Sequence, residues 1–183
     1  MNRKMIKALK NKDIYVDIDG TIAEYRFNNH VSAKDGTTNG QTMEEIENHI
    51  FLYSRPLKTV MKTLKRAKKC RIWICGAIIS PIELEDKAIW LNRNCPNIEF
   101  NGYFWFVPDK YWGTFLDYFN CGKNDDDIVT QYGIILKGSK NYMWDWIVNH
   151  NFHKLKETVF MDDVCVTIFK TGGRKRCYSL SYK

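Results

Sequence analysis

Two pairs of carboxylates are the residues in this chain whose types and spacing suit chemistry. Asp17 and Asp19 close the apolar run Ile14-Tyr15-Val16, and Gly20-Thr21 comes directly after them. Side chains alternate along a strand, so residues two apart share a face. At the carboxyl end of a strand in an open α/β sheet, such a pair lies where ligands bind, and it can hold a divalent cation and attack a phosphoryl group. A second apolar run, Glu157-Thr158-Val159-Phe160-Met161, ends in Asp162-Asp163. Adjacent residues on a strand point apart, so these two carboxylates take different roles.

The elements that must position these groups are legible as periodic segments. Leu57, Val60, Met61 and Leu64 match the spacing of a helix with one buried face, and Pro56 suits its first turn. Arg71 to Ile79 is a near-continuous apolar run and reads as a buried parallel strand. Ser80-Pro81-Ile82-Glu83 then forms a capping box opening a helix through Trp90 and Leu91. Asn97 to Val107 is the next strand and its approach. Ser139 caps a further helix, facing Met143, Trp146 and Ile147 inward, with Lys140 in its first turn. A cation there opposes the helix dipole and so asks for a reason. The alternation of Tyr178 to Tyr182 suits a last strand.

With 183 residues the chain fits one domain. The net charge of +7 would draw in phosphates or nucleic acid, although many of the cations (Lys58, Lys62, Lys65, Arg66, Lys68, Lys69) sit on or just after one helix, where solvent is the usual partner. Six cysteines show no zinc-ligand spacing, and several sit in apolar runs as small hydrophobes. No run approaches the ~20 apolar residues of a membrane helix, and a reducing cytoplasm is the expected setting.

The string Asp17-x-Asp19-Gly20-Thr21 after an apolar strand resembles the first motif of the haloacid dehalogenase superfamily, whose members are mostly magnesium-dependent phosphatases, and Asp162-Asp163 resembles its fourth. The resemblance spans nearly the whole chain. It implies a three-layer α/β sandwich with a parallel, Rossmann-like sheet and a small inserted cap at about 25–53, with a longer loop or insertion at about 108–135. It further implies that Asp17 is the nucleophile and Asp19 the acid and base. Mg²⁺ would be held by Asp17, the Asp19 main-chain carbonyl and Asp163, while Asp162 orients a neighbour. Lys140 fits the motif III lysine that neutralises the phosphoryl group, ahead of Lys137 and then Lys110.

The second motif departs from the family pattern. Its Ser or Thr and the next amide bind phosphate, yet Gly76 and Ala77 occupy that place, leaving Ser80 either to supply the hydroxyl from the helix N-terminus or to serve only as its cap. In the 5'(3')-deoxyribonucleotidase branch, which this chain looks most like, aromatic residues of the cap stack on a base. Phe27 and Tyr25 match that role by position. The implied substrate is a nucleoside monophosphate or similar small phosphate ester. The alternatives are a polynucleotide 3'-phosphatase, and a catalytically weak protein that binds phosphate or nucleotide. The aromatics of residues 111–119 either stack on bases or form the core of an inserted helix, and Asp125-Asp126-Asp127 is either a cation site or a solvated loop.

Overall fold

Crossover connections between parallel strands are right-handed, so a chain that steps repeatedly in one direction across a sheet lays its helices on one face. In the computed structural model, which describes residues 6–7, 9–24, 41–138, 157–161, 165–170 and 176–179, the last two segments as backbone alone, this pattern is realised three times over. Strands β1 (Asp13–Val16), β2 (Arg71–Ala77), β3 (Gly102–Val107) and β5 (Gly133–Lys137) are parallel neighbours in that order. Between them run helices α2 (Lys58–Arg66), α3 (Pro81–Asn94) and α4 (Asp109–Phe119). Strand β6 (Glu157–Met161) pairs parallel with β1 on its other side. Strands β4 (Asp127–Thr130), β7 (Cys165–Lys170) and β8 (Arg176–Ser179) add antiparallel edges, giving the order β4-β5-β3-β2-β1-β6-β7-β8. The chain is thus a mixed α/β fold on a mostly parallel eight-stranded sheet.

The strand alternation sorts the core into two sides. Ile14 and Val16 of β1, Ile72 and Ile74 of β2 and Trp105 of β3 join Val60, Leu64, Leu84, Trp90, Leu91 and Phe115 of the three helices in one cluster. Tyr15, Cys75, Phe104, Phe106 and Leu136 form a smaller cluster on the opposite face, also buried. Tyr15 stacks between Trp73 and Phe160, at centroid distances of 6.2 and 5.3 Å. The helix expected after Ser139 lies outside the described residues.

Local chemistry tracks sequence closely where caps are concerned, with two differences. Residues 41–53 form α1 (Met43–Glu47), closed by a reciprocal box between Thr42 and Glu45, and a 3₁₀ turn (Ile50–Tyr53) packed on α3. Pro56 is not in the first turn of α2. It bridges to Ala23, and α2 starts two residues later. The capping box at Ser80 is likewise only half formed. Ser80 Oγ accepts from Ile82 N at 3.2 Å, whereas the Glu83 carboxylate accepts from Ile79 N at 2.8 Å. Glu83 is held in that position by Lys87, its buried neighbour one turn along α3.

The stretch 108–135 consists of α4, β4 and the start of β5, and the aromatics of α4 divide by face. Trp112 and Phe115 are core residues, while Tyr118 is exposed. The three aspartates have structural work: Asp125 accepts from Gly122 N at 2.8 Å, Asp126 faces Lys137 at 3.9 Å, and Asp127 begins β4.

Burial pushes the Cys95 thiol up to about 12. A raised value keeps the thiol protonated across the working range, and only the thiolate is nucleophilic. Iodoacetamide at pH 8 is therefore expected to leave Cys95 unmodified in the folded protein and to label it readily in urea, read by peptide mass spectrometry. Rapid labelling of the native protein would contradict this packing.

Candidate active site at the carboxyl end of the central strand

Strand β1 ends at Val16, and residues 17–23 turn back in a tight loop. Asp17 still donates its main-chain N–H to Met161 O at 2.9 Å, so the sheet pairing with β6 persists one residue past the strand. Ile18 then drops into the core. Gly20 sits at φ +69°, a conformation that costs most side chains energy, and its N–H donates to Ala23 O at 2.8 Å. The amides of Thr21, Ile22 and Ala23 all donate to Ile18 O. This loop explains the glycine of the Asp-x-Asp-Gly-Thr string, and Thr21 is wholly buried, its hydroxyl without a hydrogen-bond partner among the described residues.

The location carries meaning because the sheet order reverses at β1. From β1 the chain steps outward through β2, β3 and β5, and it returns on the other side at β6. Ligands in open α/β sheets bind in the crevice beyond the carboxyl ends of the strands at such a switch point. Asp17 and Asp19 stand there, after Val16, which pairs with Met161. Asp162 and Asp163, next in sequence after Met161, lie outside the described residues, as do Lys140 and Phe27.

A lysine that carries no motif in the sequence dominates the electrostatics. Lys87 of α3 is 1% exposed, and its ammonium donates to Asp19 Oδ2 at 2.8 Å and to Ala77 O at 2.8 Å. It also meets Glu83 Oε1 at 2.9 Å, one turn earlier on the same helix. Burial alone would push the ammonium down, but the Asp19 and Glu83 carboxylates outweigh it and hold Lys87 above the ordinary lysine value. Glu83 is pushed up by its burial and by Asp19, against the pull of Lys87. One charged lysine thus anchors the acidic loop to α3. The signal was present in sequence: Glu83, Leu84, Lys87, Trp90 and Leu91 form one helical stripe, and a Glu–Lys pair four apart inside an apolar stripe is costly unless something buried needs it.

The second oxygen of Asp19, Oδ1, is buried with no hydrogen-bond partner among the described residues. A buried carboxylate oxygen left unsatisfied is a liability of about 1–3 kcal/mol, which a bound ligand would relieve. Also on α3, Asp86 shares a hydrogen bond with His49 Nδ1 at 2.9 Å through Oδ1, tying the 41–53 segment to the same helix.

The phosphate-cradle candidates fall in different places. A Cβ on Gly76 would lie 3.0 Å from the Trp105 ring and 3.3 Å from Ile18 Cδ1, so a side chain there would enter the core. Trp105 cannot yield, because it is fully buried and its Nε1 is fixed to Tyr132 O at 2.6 Å. Ala77 is exposed on the last residue of β2, and Ser80 is buried at the N-terminus of α3 with its hydroxyl accepting from Ile82 N. Gly76→Ser is expected to lower stability by about 1–3 kcal/mol through overpacking, with no gain in phosphate affinity. Urea unfolding and phosphate titration check both halves, and a stabilised variant with tighter phosphate binding would contradict the packing argument. The reserve lysines are elsewhere. Lys137 ends β5, separated from β1 by β3 and β2, and faces Asp126, and Lys110 lies over the Tyr111 ring at 4.6 Å.

No family model, curated protein or solved structure matches this chain. The fold and the residues of the loop therefore carry the functional argument alone. Among the described residues no group of three His, Cys, Asp or Glu side chains could hold a metal ion, and no helix is long and apolar enough to cross a membrane.

Proposed function

We propose that this protein is a magnesium-dependent phosphomonoester hydrolase of the haloacid dehalogenase type, acting through an aspartyl-phosphate on Asp17. The observation that carries the reading is the acidic loop at the switch point of the sheet, with Asp17 and Asp19 beyond the central strand and a buried lysine holding one oxygen of Asp19. The three-layer, Rossmann-like arrangement with a small cap belongs to the same reading.

In the first step a carboxylate oxygen of Asp17 attacks phosphorus, the ester P–O bond breaks, and Asp19 gives its proton to the leaving oxygen. In the second step Asp19 takes a proton from water, whose oxygen attacks phosphorus and releases Asp17. Lys87 fixes Asp19 through Oδ2, which leaves Oδ1 as the oxygen available for proton transfer. Asp17, the Asp19 main-chain carbonyl and Asp163 are the hard oxygen donors that would hold a divalent cation, which leaves the unpartnered Asp19 Oδ1 to the proton. When bound, Mg²⁺ would offset negative charge on the transferring phosphoryl group. Lys140 would add a second positive charge, with Asp162 orienting it, and Ser80 stands at a helix N-terminus suited to an anion.

The favoured substrate is a nucleoside monophosphate or similar small ester, with Phe27 as the base platform, and the phosphorylated end of a polynucleotide is the alternative. A weakly catalytic nucleotide-binding protein is the second reading, favoured by the glycine at position 76 and by the capture of Asp19 Oδ2 by Lys87. A panel of phosphorylated metabolites assayed with Mg²⁺ separates the two. Metal-dependent release of phosphate from any of them supports the hydrolase, and binding without turnover across the panel supports the second reading.

A further inference from the structure

One feature away from the acidic loop combines charge, shape and position. Lys58, Lys62 and Lys65 project from α2 at i, i+4 and i+7, one face of the helix, all exposed. They line a groove of about 270 Å³ between α2 and the turn after α3. Its floor is apolar, formed by Met61, Cys95 and Ile98, and no acidic side chain among the described residues lines it. Among the described residues none of the three lysines is engaged in an ion pair, so a row of positive charge about 10 Å long stands uncompensated over an apolar floor. The groove also has a direction. Pro56, which lines its upper end, bridges Ala23, and Ala23 in turn bridges Asp19.

We propose that this groove takes the backbone of a single-stranded polynucleotide, whose terminal phosphate monoester is thereby led towards Asp17. Phosphates would meet the lysines, and sugars and bases would lie on the apolar floor. A solvated lysine face usually has neither a floor nor a register, whereas this row has both. Because no aromatic ring lines the groove, stacking contributes little and charge dominates, which predicts weak sequence preference and steep salt dependence. The direction towards Asp17 rests on the phosphatase reading, while the binding itself does not.

The test is fluorescence anisotropy with a short labelled oligothymidylate in EDTA, so that no turnover enters. The triple variant K58E/K62E/K65E is expected to lose at least tenfold in affinity and to flatten the plot of log affinity against log salt by about 2. The variant K7E/K10E/K123E carries the same charge change at exposed positions outside the groove and is expected to lose less than about threefold. Equal losses in the two variants, or none in the first, would overturn the proposal by assigning the binding to bulk charge or to another surface. Equally tight binding of polyglutamate to the groove would overturn it by making the occupant an acidic peptide. If the oligonucleotide binds through the lysines while no phosphate ester is hydrolysed, the groove stands and the phosphatase reading fails. Hydrolysis of small esters with no groove binding gives the reverse.

Discussion

Asp17→Asn is expected to abolish hydrolysis of p-nitrophenyl phosphate, by on the order of 10³-fold or more, while leaving the fold intact. The amide has nearly the shape of the carboxylate, and the main-chain bond from Asp17 N to Met161 O does not depend on the side chain. The nucleophile itself is lost: a neutral amide does not attack phosphorus, and Asp19, the other carboxylate of the loop, is held through Oδ2 by Lys87. A loss of this size corresponds to about 4 kcal/mol of transition-state stabilisation. Circular dichroism and thermal unfolding are expected to match wild type within a few degrees, so that lost activity cannot be ascribed to misfolding. A variant as active as wild type would end the aspartyl-phosphate account.

Lys87→Met is expected to destabilise the protein by about 3–5 kcal/mol, because it removes the one cation that, among the described residues, Asp19 and Glu83 share. Lys87 is fully buried, so solvent cannot make up the loss. Its contact over the Phe51 ring at 5.4 Å would also go, loosening the link between α3 and the 3₁₀ turn. The double variant Glu83→Gln, Lys87→Met leaves only one of the two carboxylates charged and recovers part of the stability. It does not recover activity, because Asp19 Oδ2 still lacks its anchor. Urea denaturation of both variants beside wild type, with kcat and KM from the same preparations, separates the two effects. A stable Lys87→Met protein with normal kcat would show that the buried lysine neither holds the loop nor matters to it.

How much of this could be seen in advance depends on which physical signal each part left. Strands β1, β2, β3 and β6 were legible because buried parallel strands need unbroken apolar runs, as in Arg71 to Ala77, whereas β4 and the start of β5 lie in the stretch expected as a loop or insertion, and β7 was not anticipated. The helices α2 and α3 were legible because their apolar stripes recur at helical spacing. The acidic loop was legible from Asp17-x-Asp19-Gly20, where Gly20 adopts the positive φ that the turn requires. Lys87 left a fainter mark than a lysine in a helix first turn: its only trace was a charged pair inside an apolar stripe. Gly76 was visible as a departure from the family pattern, but its reason was not. A contact with Trp105 across neighbouring strands leaves no local mark in sequence. The half-formed box at Ser80 has the same origin, since Glu83 satisfies both its spacing and a lysine that only the fold brings to it.

The central claim is that phosphoryl transfer passes through a covalent bond to Asp17. Acid-quenching the protein during turnover with Mg²⁺ and a hydrolysed phosphate ester, then mapping its peptides by mass spectrometry, tests it directly. The account predicts an added phosphoryl group on the peptide containing Asp17, lost on treatment with hydroxylamine and missing from Asp17→Asn. Turnover with the phosphoryl group found on another residue, or with none on the protein while substrate is still being consumed, would contradict it.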